Sequence, residues 1–466
     1  MSLKYYVASG IALALVGCGG SVTGISGGDG GGGGRDSAAD TATVMNADAG
    51  GGKDTGVTTT DAGPPDSGLN HGAPSTTYPA FAPFMAQVVN NGGTVIPNPQ
   101  ISTVSWTNVD TQTATWEAFD DAIGTTSYWT TVTSEYGIGP GSAGSHVELT
   151  TSPSFSTMID IENFVGANAG STWPPSTITS DTLYVIYLPP GQSITIEGIG
   201  DACSNGVEGY HDQTTTSVGA TVIFGVVFQC NFERTSDITL SASHEIVEAT
   251  TDPIGNNTYY GFNDAQYLAW DIFQQQQDEL ADMCEFYIDD GLTEPTTGQA
   301  VQRIWSNMGA AAGSYPCVPA ETGPYFNVTP LMQDTVDINV SAFGGPSNYP
   351  GLGYYIPIGM TKVIPIGFYS DSAAPPWNIV IHGGNPLVGT TANVDATVDV
   401  ASGQNGTISY ITVKVNGQDS SNTDSNLITV ESQVPGDEMV GLGPGVSVGV
   451  HSRWMPAFAK RASTSS

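Results

Sequence analysis

Positive charge is what this sequence has least of. Ten Lys and Arg stand against 45 Asp and Glu, a net charge of −35, and no Lys or Arg occurs between Lys53 and Arg234. A chain of this kind repels phosphate backbones, which excludes electrostatic binding of nucleic acid and disfavours adhesion to anionic lipid surfaces. Apolar runs of the roughly 20 residues that cross a bilayer are missing too, so the globular part is expected outside the membrane. Cysteine is scarce, at five residues, and no two are close enough in sequence for a zinc-ribbon pair.

The N-terminus explains one cysteine. Lys4 supplies a positive start, residues 11–16 an apolar stretch, and Leu15-Val16-Gly17-Cys18 matches a bacterial lipobox. Residues 1–18 therefore read as a lipoprotein signal peptide, with Cys18 the lipidated N-terminus of the exported chain. Residues 19–75 carry Gly, Asp, Ser, Thr and Ala with hardly a large apolar side chain, the composition of a disordered tether. The expected location is the bacterial cell envelope, at the outer membrane or cell surface, with the membrane touched only through the lipid.

Four cysteines remain, Cys203, Cys230, Cys284 and Cys317. An even number in an exported chain points to two disulfides. Chain order suggests Cys203 with Cys230 and Cys284 with Cys317, while spacing alone leaves three pairings open.

Chemistry concentrates at residues 241–253, SASHEIVEATTDP. Ile238, Leu240, Ala242, Ile246, Val247 and Ala249 surround the predicted helix on most sides, Asp237 is suited to its N-cap and Pro253 stops it. His244 and Glu248, at i and i+4, share one face of this apolar cylinder, and Glu245 lies beside them. An imidazole and a carboxylate so placed can grip one divalent ion, with Glu245 as the general base that works on its water. The motif is HExxE where a zincin has a second His. Zinc is the expected metal, and the added carboxylate leaves room for calcium or manganese. A helix whose His and Glu side chains simply pair with each other is the competing reading.

Further candidates lie on either side. Residues 203–211, CSNGVEGYH, read as a loop bearing His211 as an extra ligand. Downstream, residues 278–284, DELADMC, follow a helical run at 267–277; Glu279 and Asp282, three apart, can face one way on a helix. Glu279 is the expected third ligand, with Asp282 close behind it. Asp252 sits about 12 Å along the helix from His244, better placed to cap or to hold a ligand than to bind.

Elsewhere, a strand region is expected at 94–106, a helix at 113–135 and another at 154–165. The apolar runs 182–188 and 221–228 predict buried strands, with 194–196 extending the first. From about residue 325 short alternating strands separated by Gly, Asn, Asp and Pro predict a β-sandwich, in which His382 and His451 stand isolated.

The ordered succession of SYW at 127–129, GYH at 209–211, SHEIVEATTDP at 243–253, DELADMC at 278–284, VQRIWSN at 301–307 and PCVP at 316–319 resembles the exordium-like, phosphate-induced family. The resemblance implies export, a domain over about 79–320, and His244, Glu245, Glu248 and Asp252 acting as one unit. The expected architecture is an α+β zincin-like domain over 76–322 followed by an all-β sandwich-like domain over 325–466. The expected function is a lipid-anchored metallohydrolase, a metallopeptidase by motif, acting on a peptide or cell-surface polymer. The alternative is a non-catalytic lipoprotein that binds a wall or surface polymer and keeps a structural cation.

Overall fold

A computed structural model describes residues 68–460 apart from 152–153, 198, 232, 256, 263–278, 286–290, 332–333, 339–348, 384–391, 419–424, 434–438, 442–446 and 450–452. The signal segment with Cys18, most of the tether, the run at 267–277, Asp278 and His451 fall outside the described residues. Among the described residues no helix is long and apolar enough to cross a membrane.

The chain is a mixed α/β structure richer in strands than in helices. Its first half is built on a five-stranded sheet of β1 (Gln100–Trp106), β2 (Ser142–Leu149), β3 (Thr182–Tyr187), β4 (Gly209–Thr215) and β5 (Thr221–Val227), in the order β2-β1-β3-β5-β4. Four strands run parallel, and the edge strand β4 is antiparallel to β5. Both β3 and most of β5 are buried on both faces, which is why their sequences are continuous apolar runs without alternation. One face packs against helices α1 (Thr113–Ile123), α2 (Ser127–Thr133) and α4 (Thr235–Thr251), through Leu183, Val185, Tyr187, Ile223 and Val227. The opposite face, with Tyr184, Ile186, Phe224 and Val226, is covered by α3 (Met158–Asn168).

Several boundaries differ from the sequence expectation. The helix expected at 113–135 breaks after Ile123: Gly124 ends the first helix, packed against Gly141 where an added Cβ would come 2.7 Å from the Gly141 Cα, and Thr126 caps the next by accepting from the Trp129 N–H at 3.1 Å. Residues 195–196 do not extend β3 but form a two-residue ladder with Gly200–Asp201. The stretch expected as a loop up to His211 turns into β4 at Gly209. Helix α4 starts at Thr235, so Asp237 is inside the first turn, where its Oδ2 accepts the Arg234 N–H at 3.0 Å.

The second half comprises a four-stranded antiparallel sheet, in the order Phe326–Pro330, Thr361–Ser370, Ile408–Val415, Val394–Val398, and a six-stranded sheet containing Tyr349–Tyr355, Trp377–Gly383, Ser425–Gln433 and Arg453–Lys460. The two share one apolar core: Val328, Ile366, Phe368 and Val413 from the first, Trp377, Ile379, Ile428 and Val430 from the second. Asn405 fastens the start of the folded chain to these sheets. Its amide donates to the Ser75 and Thr77 carbonyls at 2.9 and 2.8 Å and its oxygen accepts from the Ala80 N–H at 3.1 Å. His71 and Ser75, expected in the tether, are thus hydrogen-bonded into the structure.

Two disulfides are present, Cys203–Cys230 and Cys284–Cys317. The second ties the short helix α5 (Asp282–Glu285) to the strand Cys317–Val318. His382 is not isolated: its Nε2 lies 2.8 Å from the Glu431 Oε2 on the neighbouring strand.

Candidate metal centre

Helix α4 brings His244, Glu245 and Glu248 against the edge of the five-stranded sheet. Side chains alternate along a strand, and directly opposed residues of an antiparallel pair point to the same face. His211 on β4 is opposite Gly225 on β5, and Gly225 falls on the α4 side between Ile223 and Val227. His211 therefore points at the helix. Two glycines let the helix come close enough: an added Cβ at Gly225 would sit 3.3 Å from the Glu245 Cβ, and one at Gly209 only 2.5 Å from the Glu245 Oε1.

Around this junction the candidate side chains converge. The His244 Nε2 is 3.0 Å from the Glu248 Oε2 and 3.5 Å from the Asp282 Oδ1. The His211 Nδ1 is 3.7 Å from both the Glu248 Oε2 and the Glu245 Oε2, and its Nε2 is 3.5 Å from the Glu279 Oε1. The expectation put Glu279 at His244 with Asp282 behind it; here Asp282 stands at His244 and Glu279 at His211. The reason is local. Glu279 lies in a turn before α5, not on one helix with Asp282, so the two acids diverge. Asp252 stays at the C-terminus of α4, where its Oδ1 accepts the Asn257 and Thr258 N–H groups at 3.1 and 2.8 Å.

Both imidazoles are oriented by oxygen acceptors. The Gln302 Nε2 donates to the Ala281 carbonyl at 2.7 Å, which fixes its Oε1 as the partner of the His244 Nδ1 at 3.0 Å. His244 thus donates through Nδ1 and turns Nε2 to Glu248 and Asp282. His211 makes the matching arrangement: its Nε2 donates to the Asp252 carbonyl at 3.2 Å, which turns Nδ1 to Glu245 and Glu248. Metal-ligating histidines are commonly held in this way. Sequence reasoning missed Gln302 and the role of the Asp252 carbonyl. Gln302 is itself placed by its N–H, which donates to the Ser243 Oγ at 2.8 Å, and by its carbonyl, which accepts from the Tyr128 hydroxyl at 2.7 Å.

Electrostatically the centre is overloaded with acid. Burial pushes the Glu279 and Asp282 carboxyls well above the usual range, and Glu248 adds to this. Burial likewise raises Glu245, against the pull of His211 and His244. Glu248 goes the other way: burial is outweighed by His244, which lowers it. Burial opposes charge on the imidazoles, yet Glu279 and its neighbours raise His211 to about 10, and Glu248 raises His244 well above its ordinary value. Without a cation the cluster therefore neutralises itself with protons. The Glu245 Oε2 is buried and has no hydrogen-bond partner, an unusual state for a carboxylate oxygen unless something else completes its surroundings.

Comparison with known proteins adds little. No family model and no curated protein matches the chain. Among solved structures, WR4, a C. elegans MSP family member, matches over 24% of this chain and 91% of its own at 14% identity, with a TM-score of 0.15. That likeness carries no argument about the site.

Proposed function

We propose that the chain is an exported, lipid-anchored metallohydrolase, with a zincin-like domain over 76–322, a β-sandwich over 325–466 and its centre at the meeting of α4 and β4. The observation that carries this reading is the orientation of the two imidazoles. Each has one nitrogen tied to an oxygen acceptor and the other turned to the shared carboxylate of Glu248. His244, Glu248 and Asp282 would hold a divalent ion, with His211 and Glu279 alongside. The donor set of imidazole and carboxylate suits zinc or manganese, and the carboxylates also suit calcium.

A bound ion would supply Lewis acidity, which polarises a carbonyl and acidifies water. The residues of the chain do the rest. Gln302 and the Asp252 carbonyl keep the ring nitrogens aimed. Glu245 takes the general-base role: its buried Oε2 has no hydrogen-bond partner and faces His211 at 3.7 Å, and burial raises its proton affinity, the direction that suits a base. A peptide or a surface polymer is the substrate class proposed, and the resemblance to the exordium-like family supports export without naming an activity.

The burial of Glu245, Glu248 and Asp282 favours one second reading, a polymer-binding lipoprotein in which a cation is structural. The two are separated by measuring hydrolysis of denatured protein substrates by the full mature chain, before and after chelation and metal return. Glu245→Gln should keep its metal content and lose about 10²-fold or more in rate. Equal rates for variant and parent would remove Glu245 from the mechanism. Unfolding on chelation, with no hydrolysis by the loaded protein, would establish the structural cation instead.

A further inference from the structure

The donor atoms of the centre do not form a single cage. Among the described residues they fall into two sets whose atoms lie within 4.8 Å of one another: His244, Glu248 and Asp282 in one, His211, Glu248 and Glu279 in the other. The two imidazoles belong to no common set. Ligand atoms bound tetrahedrally at about 2.0–2.1 Å are roughly 3.4 Å apart and can never be more than about 4.2 Å apart across one ion. The His244 Nε2 stands 3.0 and 3.5 Å from the Glu248 and Asp282 oxygens and the His211 Nδ1 3.7 Å from Glu248, separations of this order; the Glu279 Oε1 lies 3.5 Å from the other nitrogen of the His211 ring, within the same 4.8 Å set. One ion cannot take both histidines as they are placed.

We propose that the centre holds two divalent cations that share Glu248, one between His244, Glu248 and Asp282 and the other between His211, Glu248 and Glu279. The proposal rests on the metal-centre reading above and extends it in stoichiometry. Three further observations support it. Glu248 presents its Oε2 to both imidazoles, at 3.0 and 3.7 Å, so one carboxylate is within reach of both sets and would serve both ions. Each histidine has its own acceptor on its outer nitrogen, so both rings are prepared as ligands and neither is left over. The buried Glu245 Oε2, without a hydrogen-bond partner, faces the His211 side of the cluster at 3.7 Å. Charge agrees with the count: Glu245, Glu248, Glu279 and Asp282 bring four negative charges, and two divalent ions bring four positive ones. Paired ions at a shared carboxylate are spaced about 3.5–4 Å in the hydrolytic centres that use them.

The experiment is metal stoichiometry on the full mature chain, stripped with chelator and dialysed against Zn²⁺, read by elemental analysis. The parent should take up two equivalents. His211→Ala and His244→Ala should each keep one, and Glu248→Ala should keep none. Loading the parent with Mn²⁺ gives a measurement that needs no variant: two ions sharing one carboxylate should show an exchange-coupled electron paramagnetic resonance signal. Saturation at one equivalent with an uncoupled Mn²⁺ signal would overturn the two-ion proposal and leave the metal centre standing. Uptake below a tenth of an equivalent by the parent would overturn both.

Discussion

Each half of the molecule buries a carboxylate against a histidine, and the two arrangements differ in their arithmetic. Among the described residues of the C-terminal sheets one imidazole, His382, meets one fully buried acid, Glu431, at 2.8 Å. In the α/β half two imidazoles meet four acids within 3.7 Å. A one-to-one pair can neutralise itself and serve packing alone. A surplus of buried acid cannot, and without cations it must hold protons or be destabilised by its own repulsion. The comparison teaches where to look for function: in the half whose interior is worse for stability than it needs to be.

The largest effect that tests this contrast concerns a second isolated acid in the α/β half. Asp120 is wholly buried and accepts from the Thr103 hydroxyl at 2.7 Å and the Tyr187 hydroxyl at 2.8 Å. Burial pushes its carboxyl up from 3.8 to about 7, although both hydroxyls lower it. Between pH 4 and 7 the folded protein thus holds a proton that the unfolded chain has released. Stability is greatest below that window and falls as pH rises through it, by an amount on the order of 4 kcal/mol for the full shift. Asp120→Asn should remove this part of the slope. Denaturant melts of parent and variant at pH 4.5 and pH 8 measure it; a stability difference that is the same at both pH values would show that Asp120 does not titrate with folding.

Next in size is the Cys284–Cys317 bridge, which closes 33 residues. Its removal by a double Ser substitution should cost roughly 3–4 kcal/mol through the entropy of the unfolded chain. Zn²⁺ binding should weaken with it, because the bridge anchors the helix that begins at Asp282. The C-terminal sheets have no such link to the centre. A double variant that loses stability but keeps the parent's Zn²⁺ affinity would mean that α5 is held by packing alone.

How much of this was legible in the sequence depended on whether the signal was local. The i, i+4 spacing of His244 and Glu248 shows on any helical reading, and the buried strands β3 and β5 declare themselves as unbroken apolar runs. The strand Ile408–Val415 likewise matches its alternating pattern. What the sequence concealed is long-range. His211 is a site residue because β4 pairs with β5 in a register that puts it opposite Gly225, and no local pattern states that register. Gln302 reaches His244 across 58 positions. The one available clue was the glycines: Gly209 and Gly225 flank the site in otherwise unlike segments, and a close backbone approach is a standing reason for glycine in a strand.

The smallest effect lies on the surface of the C-terminal sheets and tests the contrast from the other side. Lys362 Nζ is 3.1 Å from the Asp334 Oδ2 and 4.2 Å from the centre of the Tyr354 ring. The Lys and Asp side chains are 33% and 55% exposed, so water screens the ion pair and the side-chain entropy needed to hold it offsets most of the attraction. The ring contact adds at most about 1 kcal/mol at such a site. Lys362→Ala should therefore cost less than about 1 kcal/mol, shrink further in 0.5 M salt as the Debye length falls to roughly 4 Å, and leave Zn²⁺ uptake unchanged. Thermal melts at two salt concentrations, with metal content measured alongside, check all three. Should Lys362→Ala cost several kcal/mol or lower the metal content, charge in the C-terminal sheets would be coupled to the acidic centre, and the division of labour between the two halves would fall.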